Sequence, residues 1–142
     1  MINPLTIQSE NLEEGGHLII DTDVLIWYLR GNKKAASAVV NAVPFAVSIV
    51  TYMELLKGMR DKKEMRIMKK AFAEMGVHII PISETVSMNA ASLVEKYFLS
   101  HSLELADALI AATCIENDEV LLTANDKHYR MIDDLKTNVF RP

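Results

Sequence analysis

The sequence predicts an α/β fold in which a short parallel sheet of four to five strands carries helices on both faces. Short uninterrupted apolar runs, which are typical of strands buried on both sides, alternate along the chain with stretches of helical period. The chain has 142 residues, of which 50% are hydrophobic and 24% are charged. This length and composition fit one globular domain and argue against a disordered chain.

The first half of the chain is predicted to hold two strands and three helices. They are a strand at 18–20, helices at 24–30 and 33–43, a strand at 45–48 and a helix at 51–59. Gly31-Asn32 separates the first two helices, and Pro44 ends the second. The helix at 33–43 is predicted to face the core through the apolar residues of one side, namely Ala36, Val39, Val40 and Val43.

The second half continues the alternation. Its predicted elements are a helix at 61–75, a strand at 77–80, a helix at 83–99, a helix through 107–115, a strand at 119–122, a short helix at 126–131 and a possible fifth strand at 137–140. Gly76 is predicted to end its helix, and Pro81 ends the third strand. A polar break at Ser100-His101-Ser102 separates the two helices that follow. The helix at 61–75 has apolar residues at core spacing, namely Met65, Met68, Phe72 and Met75.

The ends of the chain and its single thiol give no sign of secretion. Residues 1–16 lack a clear period and end in the turn signal Glu-Glu-Gly-Gly, so we expect a poorly ordered extension before a domain at 17–142. No leader pattern is visible, and no apolar run approaches the ~20 residues that a membrane span needs. We therefore expect a cytoplasmic protein without membrane contact. Cys114 lies among small helix residues and is predicted to be buried rather than nucleophilic.

Two carboxylates directly follow the first strand. In open α/β sheets ligands bind at the carboxyl ends of the strands, so Asp21 and Asp23 lie where such a fold performs chemistry. Either Asp21 or Thr22 would also serve as a helix N-cap. A cap explains one acid and leaves the second unexplained, so we interpret the pair as half of a metal site.

Three further acids are predicted to reach the same edge of the sheet. Glu54 lies about one turn beyond the second strand, although Thr51-x-x-Glu54 also has the form of a capping box. Asp107 stands in an apolar helical stretch, where an unpaired carboxylate is costly to bury, and Glu104 shares its helix face. Like charges so close are tolerated mainly when a cation or water lies between them.

A fourth motif, Leu-Leu-Thr123-Ala-Asn125-Asp126, is again a strand that ends in oxygen donors. The four histidines are scattered without ligand spacing. Oxygen donors without a cluster of His and Cys suit Mg²⁺ or Mn²⁺ rather than zinc. Carboxylate sites that hold such ions activate water for phosphodiester cleavage, which requires no protein nucleophile.

The four motifs together resemble those of PIN-domain ribonucleases, and most of all the VapC-type toxins of toxin–antitoxin pairs. The motifs are Ile-Ile-Asp21-Thr-Asp-Val-Leu-Ile, Ser48-Ile-Val-Thr-Tyr-Met-Glu54-Leu-Leu-Lys-Gly58, Asp107-Ala-Leu-Ile-Ala-Ala-Thr and Leu-Leu-Thr123-Ala-Asn125-Asp-Lys-His-Tyr. The resemblance implies a three-layer PIN-like fold and an Mg²⁺- or Mn²⁺-dependent endoribonuclease. It also implies a homodimer that a small antitoxin inhibits by placing its tail in the active-site groove.

Carried over by position, the resemblance assigns catalytic roles to Asp21, Glu54, Asp107 and Asn125, with the three acids as metal ligands. It assigns supporting roles to Ser48, Asp23, Glu104, Thr123 and Asp126. Many PIN domains have an aspartate where this chain has Asn125, and an amide binds a cation less strongly. Asp126 could compensate for that loss. Asp23 is predicted to be a secondary ligand or a helix cap.

Two other functions fit parts of the sequence. A haloacid-dehalogenase-like phosphatase also begins with a strand and Asp-x-Asp, with Asp21 as nucleophile and Asp23 as acid. That class needs a well-placed lysine and leaves Glu54 and Asp107 without a role. A non-catalytic binding module on the same fold is the third possibility.

The charge of the chain does not by itself indicate a nucleic-acid binder. The net charge is −4, whereas such proteins usually present a basic face. A cation bound in an acidic pocket would reverse the local field that a phosphate meets. Seven Lys or Arg residues lie within 57–70, and this segment is the first place where we expect phosphate contacts.

Overall fold

The computed structural model describes residues 18–142, so the predicted extension at 1–16 lies outside the described residues. One sheet has five parallel strands in the order β3-β2-β1-β4-β5. The strands are β1 (Ile19–Ile20), β2 (Ala46–Ser48), β3 (His78–Ile80), β4 (Leu121–Thr123) and β5 (Thr137–Val139). The helices are α1 (Thr22–Leu29), α2 (Lys33–Ala42), α3 (Ile49–Lys57), α4 (Lys62–Met75), α5 (Glu84–His101) and α6 (Leu105–Glu116), and a 3₁₀ turn spans Asp126–His128.

Helices cover both faces of the sheet, which confirms the predicted three-layer α/β fold. Because successive strand residues point to opposite faces, each strand contributes to two cores. Ile19 and Leu121 pack in one core with α5 and α6, whereas Ile20 and Leu122 pack in the other with α1, α2 and α4. The helix α3 contributes to both cores. Cys114 is buried in the first core, as predicted.

The predicted apolar face of α2 is wrong. Ala35 and Val39 are buried, with Ala38 and Ala42 packed beside them, whereas Val40 is 60% exposed. The buried positions are spaced three and four apart and therefore form one helix face, rotated from the predicted one. Small alanines on this face allow α2 to lie close to its neighbours, and the larger valines at 40 and 43 remain at the surface.

Several element boundaries differ from the predictions because of local caps. Asp21 and Ser48 each accept a backbone N–H bond at the start of a helix, so α1 and α3 begin two residues earlier than predicted. The predicted polar break after α5 lies partly inside it, since α5 continues to His101 and ends at Ser102. Ser102 has the left-handed backbone (φ 54°) that commonly ends a helix.

The central pair of strands positions the functional residues. β1 and β4 run side by side with Ile20 opposite Leu122, so the residues that follow them, Asp21 and Thr123, are neighbours. β5 pairs with β4 at the sheet edge, and beyond it the Phe140 N–H donates to the Thr123 carbonyl at 2.8 Å. Among residues 18–142, none of the helices combines the length and apolar character that a membrane crossing requires.

Candidate active site

Asp21 is a buried carboxylate at the end of β1. Its Oδ1 accepts a hydrogen bond from the Thr22 N–H at 2.9 Å, and its Oδ2 accepts one from the Thr123 hydroxyl at 2.8 Å. Only 6% of the residue is exposed. Burial, together with the negative charge of Asp23, raises the pKa of Asp21 to about 7, although both hydrogen bonds oppose the shift. Asp21 therefore caps α1 and also holds a charge that the protein environment does not fully compensate.

Asp23 connects the start of α1 to the loop after β4. Its Oδ1 accepts from the Val24 N–H at 2.7 Å, and its Oδ2 accepts from the Ala124 N–H at 3.1 Å. Burial raises the pKa of Asp23, and the charge of Asp107 adds to this effect. Asp23 therefore stabilises the local backbone and shares the field of the other carboxylates.

Asp107 lies in the first turn of α6. It has hydrogen-bonding partners, as expected for a carboxylate in an apolar stretch of helix. The Tyr129 hydroxyl donates to its Oδ1 at 3.2 Å, and the Nδ1 atom of His128 lies 3.2 Å from its Oδ2. Burial raises the pKa of Asp107, Glu104 raises it further, and the two partners lower it. Glu104 itself is exposed at the N-cap position of α6, where its side chain forms no capping bond.

Tyr129 joins the two principal acids. The residue is 2% exposed, and its hydroxyl interacts with Asp21 as well as with Asp107. Burial and both carboxylates raise the pKa of the phenol, so Tyr129 stays protonated and acts as a donor. Sequence reasoning missed Tyr129 and His128, since neither has ligand spacing. Their place at the end of the fourth motif of the resemblance, Leu-Leu-Thr-Ala-Asn-Asp-Lys-His-Tyr, was the available signal.

Glu54 is linked to the residue that follows Asp21. Its Oε1 accepts from the Thr22 hydroxyl at 2.6 Å, and the same hydroxyl lies 3.1 Å from that of Thr51. The capping-box interpretation of Glu54 is wrong, because α3 begins at Ile49 and its cap is Ser48, whose Oγ accepts from the Val50 N–H at 3.0 Å. Glu54 therefore lies beyond the first turn and is free of a capping role.

The fourth motif divides its residues between two tasks. Thr123 is buried, donates to Asp21 and accepts from the Asn125 N–H at 3.0 Å. Asn125 has an exposed side chain. Asp126 forms ion pairs with Arg130 at 3.2 Å and Arg141 at 3.1 Å, which lower its pKa. Asp126 would have to leave these pairs to serve as a metal ligand.

The donors present are hard oxygen atoms, as Mg²⁺ and Mn²⁺ require. Across residues 18–142, no three His, Cys, Asp or Glu side chains converge into a complete metal-binding group. Asp21, Asp23 and Asp107 nevertheless act on one another electrostatically, and burial raises the pKa of each. A divalent cation would relieve this uncompensated charge, so the donor set fits such an ion.

Comparisons with known proteins show the family to which the chain belongs. A family model described as PIN domain matches residues 18–135. The chain therefore belongs to the PIN-domain family.

Within the family the chain is similar to toxins of the VapC type. It is 37% identical to Ribonuclease VapC10 of Mycobacterium tuberculosis over 123 residues, which cover 84% of this chain and 90% of the relative. It is 32% identical to Ribonuclease VapC19 of the same organism, with 83% and 96% covered. A toxin–antitoxin complex from Klebsiella pneumoniae contains a chain of similar structure, with a TM-score of 0.72, 26% identity and coverage of 87% of this chain and 99% of that chain.

Proposed function

We propose that this protein is a metal-dependent endoribonuclease and the toxin of a toxin–antitoxin pair. The observation that carries the proposal is the buried Tyr129 hydroxyl, which donates to Asp107 at 3.2 Å and feels the charge of Asp21, so acids from two separate elements act on one group. The names of the similar relatives, both ribonucleases, support RNA as the substrate.

Asp21 and Asp107 would hold the cation, with Glu54 as a third ligand on the same side. A bound Mg²⁺ or Mn²⁺ supplies an activated water and stabilises the leaving oxygen of the phosphodiester. The chain itself keeps the ligands in place: Thr123 fixes Asp21, the Ala124 N–H fixes Asp23, and Tyr129 orients Asp107. Such positioning by fixed partners reduces the reorganisation needed during the reaction.

The groups around Asp21 do not favour the phosphatase alternative. In that reaction Asp107 would have no role, whereas the Tyr129 hydroxyl, which donates to Asp107 at 3.2 Å, links it to the same acid cluster as Asp21 and Asp23. Cys114 is also unsuited to attack, because it is buried and burial raises the pKa of its thiol. Water activated at the carboxylates remains the better supported nucleophile.

We further propose that the antitoxin docks in a groove between α1, α3 and α4. The groove has a volume of about 650 Å³ and is lined mainly by apolar side chains, namely Ile26, Leu29, Leu55, Met59 and Ile67. Glu54 also lines the groove, so a segment bound there would reach the proposed metal ligands. An apolar segment with a charged end fits this lining, because Arg30 and Arg60 lie at its rim. We also propose a homodimer, which the family resemblance implies, and a cytoplasmic location.

The decisive experiment is cleavage of a mixed structured RNA by the purified protein in Mg²⁺, Mn²⁺ or EDTA. The Asp21→Asn variant tests the site, and Asp133→Asn, which neutralises an exposed acid, is the matched control. We expect metal-dependent cleavage by the wild type and the control, and none by Asp21→Asn. Hydrolysis of a phosphomonoester without RNA cleavage would instead favour the phosphatase. Metal binding without activity on either substrate would favour a binding module.

A further inference from the structure

We propose that a pocket in the loop after β4 binds one phosphate group of the RNA substrate. This phosphate is the neighbour, along the same strand, of the phosphodiester that is cleaved. This loop pocket has a volume of about 350 Å³ and is lined by Ala124, Asn125, Asp126, Lys127, His128 and Arg141. The inference rests on the proposed function, since it specifies how the same site would hold its substrate.

The loop pocket adjoins the carboxylates directly. The Ala124 N–H donates to Asp23 at 3.1 Å, and the His128 Nδ1 lies 3.2 Å from Asp107. The same short loop therefore contributes to the acid cluster and to the pocket. A strand with one phosphate at the acids would thus have its neighbouring backbone at the pocket.

The charge of the loop pocket is opposite to that of the chain. Asp126 is the only acid among its lining residues, and it is paired with both Arg130 and Arg141. Lys127 is exposed and forms no hydrogen bond or ion pair with any residue in 18–142. Among the lining residues two cations, Lys127 and Arg141, stand against one anion, Asp126, in a protein whose net charge is −4. This excess positive charge favours a phosphate, because Asp126 alone does not neutralise the cations of the pocket.

Arg141 is already held in position for such a contact. Its Nη1 donates to the Ala124 carbonyl at 3.2 Å, and its Nη2 donates to Asp126 at 3.1 Å. The side chain is still 65% exposed. A guanidinium has five N–H donors in a planar arrangement, so donors remain for phosphate oxygens. Because the side chain is ordered before binding, little further conformational freedom is lost when a phosphate arrives.

The basic segment at 57–70 offers a competing location for phosphate contacts. Two of its cations are engaged in ion pairs along α4, Arg60 with Glu64 at 2.9 Å and Lys70 with Glu74 at 3.9 Å. None of the hydrogen bonds or ion pairs described for residues 18–142 joins this segment to Asp21, Asp23 or Asp107. The structure therefore favours the loop pocket over α4 as the place where the substrate backbone is held.

The test is binding of a fluorescein-labelled 12-nucleotide poly(U) RNA in EDTA, measured by anisotropy over a range of salt concentrations. The double variant Lys127→Gln/Arg141→Gln is compared with Lys62→Gln/Lys63→Gln, which removes the same charge from exposed positions on α4. Each phosphate contact contributes about −0.7 to the slope of log K against log salt for single strands. We expect the first variant to lose about 0.7 from this slope, as the loss of one phosphate contact predicts, and to bind about tenfold more weakly at low salt. We expect the second to bind like the wild type.

Several outcomes would overturn the proposal. They are equal losses in both variants, a loss confined to the α4 variant, no loss in either, or no binding of poly(U) by the wild type. Equal binding of polyglutamate, lost in the same variant, would identify a protein-binding surface and would also overturn it. The single variant Lys127→Gln leaves the hydrogen bonds of Arg141 intact, so a folding defect is not expected in it. Its salt slope should change by about half as much as that of the double variant.

The assay separates this inference from the proposed nuclease activity. Binding in EDTA requires no metal and no cleavage. RNA binding that depends on Lys127 and Arg141, together with no cleavage in any metal, would contradict the nuclease proposal and leave the phosphate pocket in place. Cleavage that is unaffected in the double variant, with unchanged binding, would contradict the pocket alone.

Discussion

The hydroxyl of Tyr129 donates a 3.2 Å hydrogen bond to Asp107, and the negative charge of Asp21 also acts on it. One buried phenol therefore interacts with both acids that are proposed to hold the cation. A phenol has a single proton, so it can satisfy only one carboxylate fully at a time. The cluster keeps excess negative charge even with this donor in place.

Removing the Tyr129 hydroxyl should weaken the metal-free fold. We expect Tyr129→Phe to lower the free energy of unfolding by about 1.5–3 kcal/mol, because a partly buried carboxylate loses a hydrogen bond to its charged form. Urea denaturation in EDTA measures this change. Tyr28→Phe is the matched control, since the Tyr28 hydroxyl forms no hydrogen bond with any residue in 18–142. Equal decreases in the free energy of unfolding of the two variants would show that the Tyr129 hydroxyl does not stabilise the acid cluster.

Neutralising either principal acid should abolish cleavage without unfolding the protein. In Asp21→Asn and Asp107→Asn the buried charge is gone, so the metal-free stability should be unchanged or slightly higher at pH 8. RNA cleavage and urea denaturation in EDTA, measured on the same preparations, test both statements. Marked unfolding of Asp107→Asn would show that Asp107 is structural.

The stability of the metal-free protein should fall as the pH rises towards neutrality. The pKa of Asp21 is raised from 3.8 to about 7, so between these values the folded state retains a proton that the unfolded state has lost. The contribution of Asp21 is therefore fully present below about pH 4 and is lost as the pH rises through about 7. At about 1.4 kcal/mol per pKa unit its upper limit is about 4 kcal/mol.

Urea denaturation in EDTA at pH 5, 6, 7 and 8 measures this dependence. The Asp21→Asn variant should show a flatter profile than the wild type, because its amide does not titrate. Parallel profiles for the two proteins would place the titrating group elsewhere.

Added Mg²⁺ should stabilise the wild type more than Asp21→Asn. An ion that binds the folded state alone stabilises it by about 2.7 kcal/mol at one hundred times its dissociation constant. The increase in melting temperature on adding Mg²⁺ should therefore be larger for the wild type and for Asp133→Asn than for Asp21→Asn. Equal increases in all three proteins would exclude Asp21 from the metal site.

The fold and most of the acid cluster could be predicted from sequence because they depend on local rules. Apolar runs located the first four strands, and the fifth was predicted only as a possible strand. Among the predicted acids, Asp23 acts electrostatically on Asp21, and Asp107 acts on Asp23. Glu54 was ambiguous on local evidence, since a capping box requires Thr51 as the N-cap, whereas the N-cap of α3 is Ser48, three residues earlier.

The rest could not be predicted because it depends on how distant elements meet. Tyr129 reaches Asp107 across 22 positions of sequence, by way of a 3₁₀ turn whose direction no periodicity encodes. The orientation of α2 was missed for a related reason. Its alanines and valines fall on more than one side of the helix, and packing against α1 selects the side with Ala35 and Val39.

Residues 140 and 141 form hydrogen bonds with the start of the loop after β4. Phe140 donates to the Thr123 carbonyl, and Arg141 donates to the Ala124 carbonyl, one residue before Pro142. An affinity tag fused after Pro142 would therefore emerge beside the loop after β4. We expect such a tag to disturb the activity that is measured. Recombinant protein for the experiments above is better tagged at the other terminus or freed of its tag.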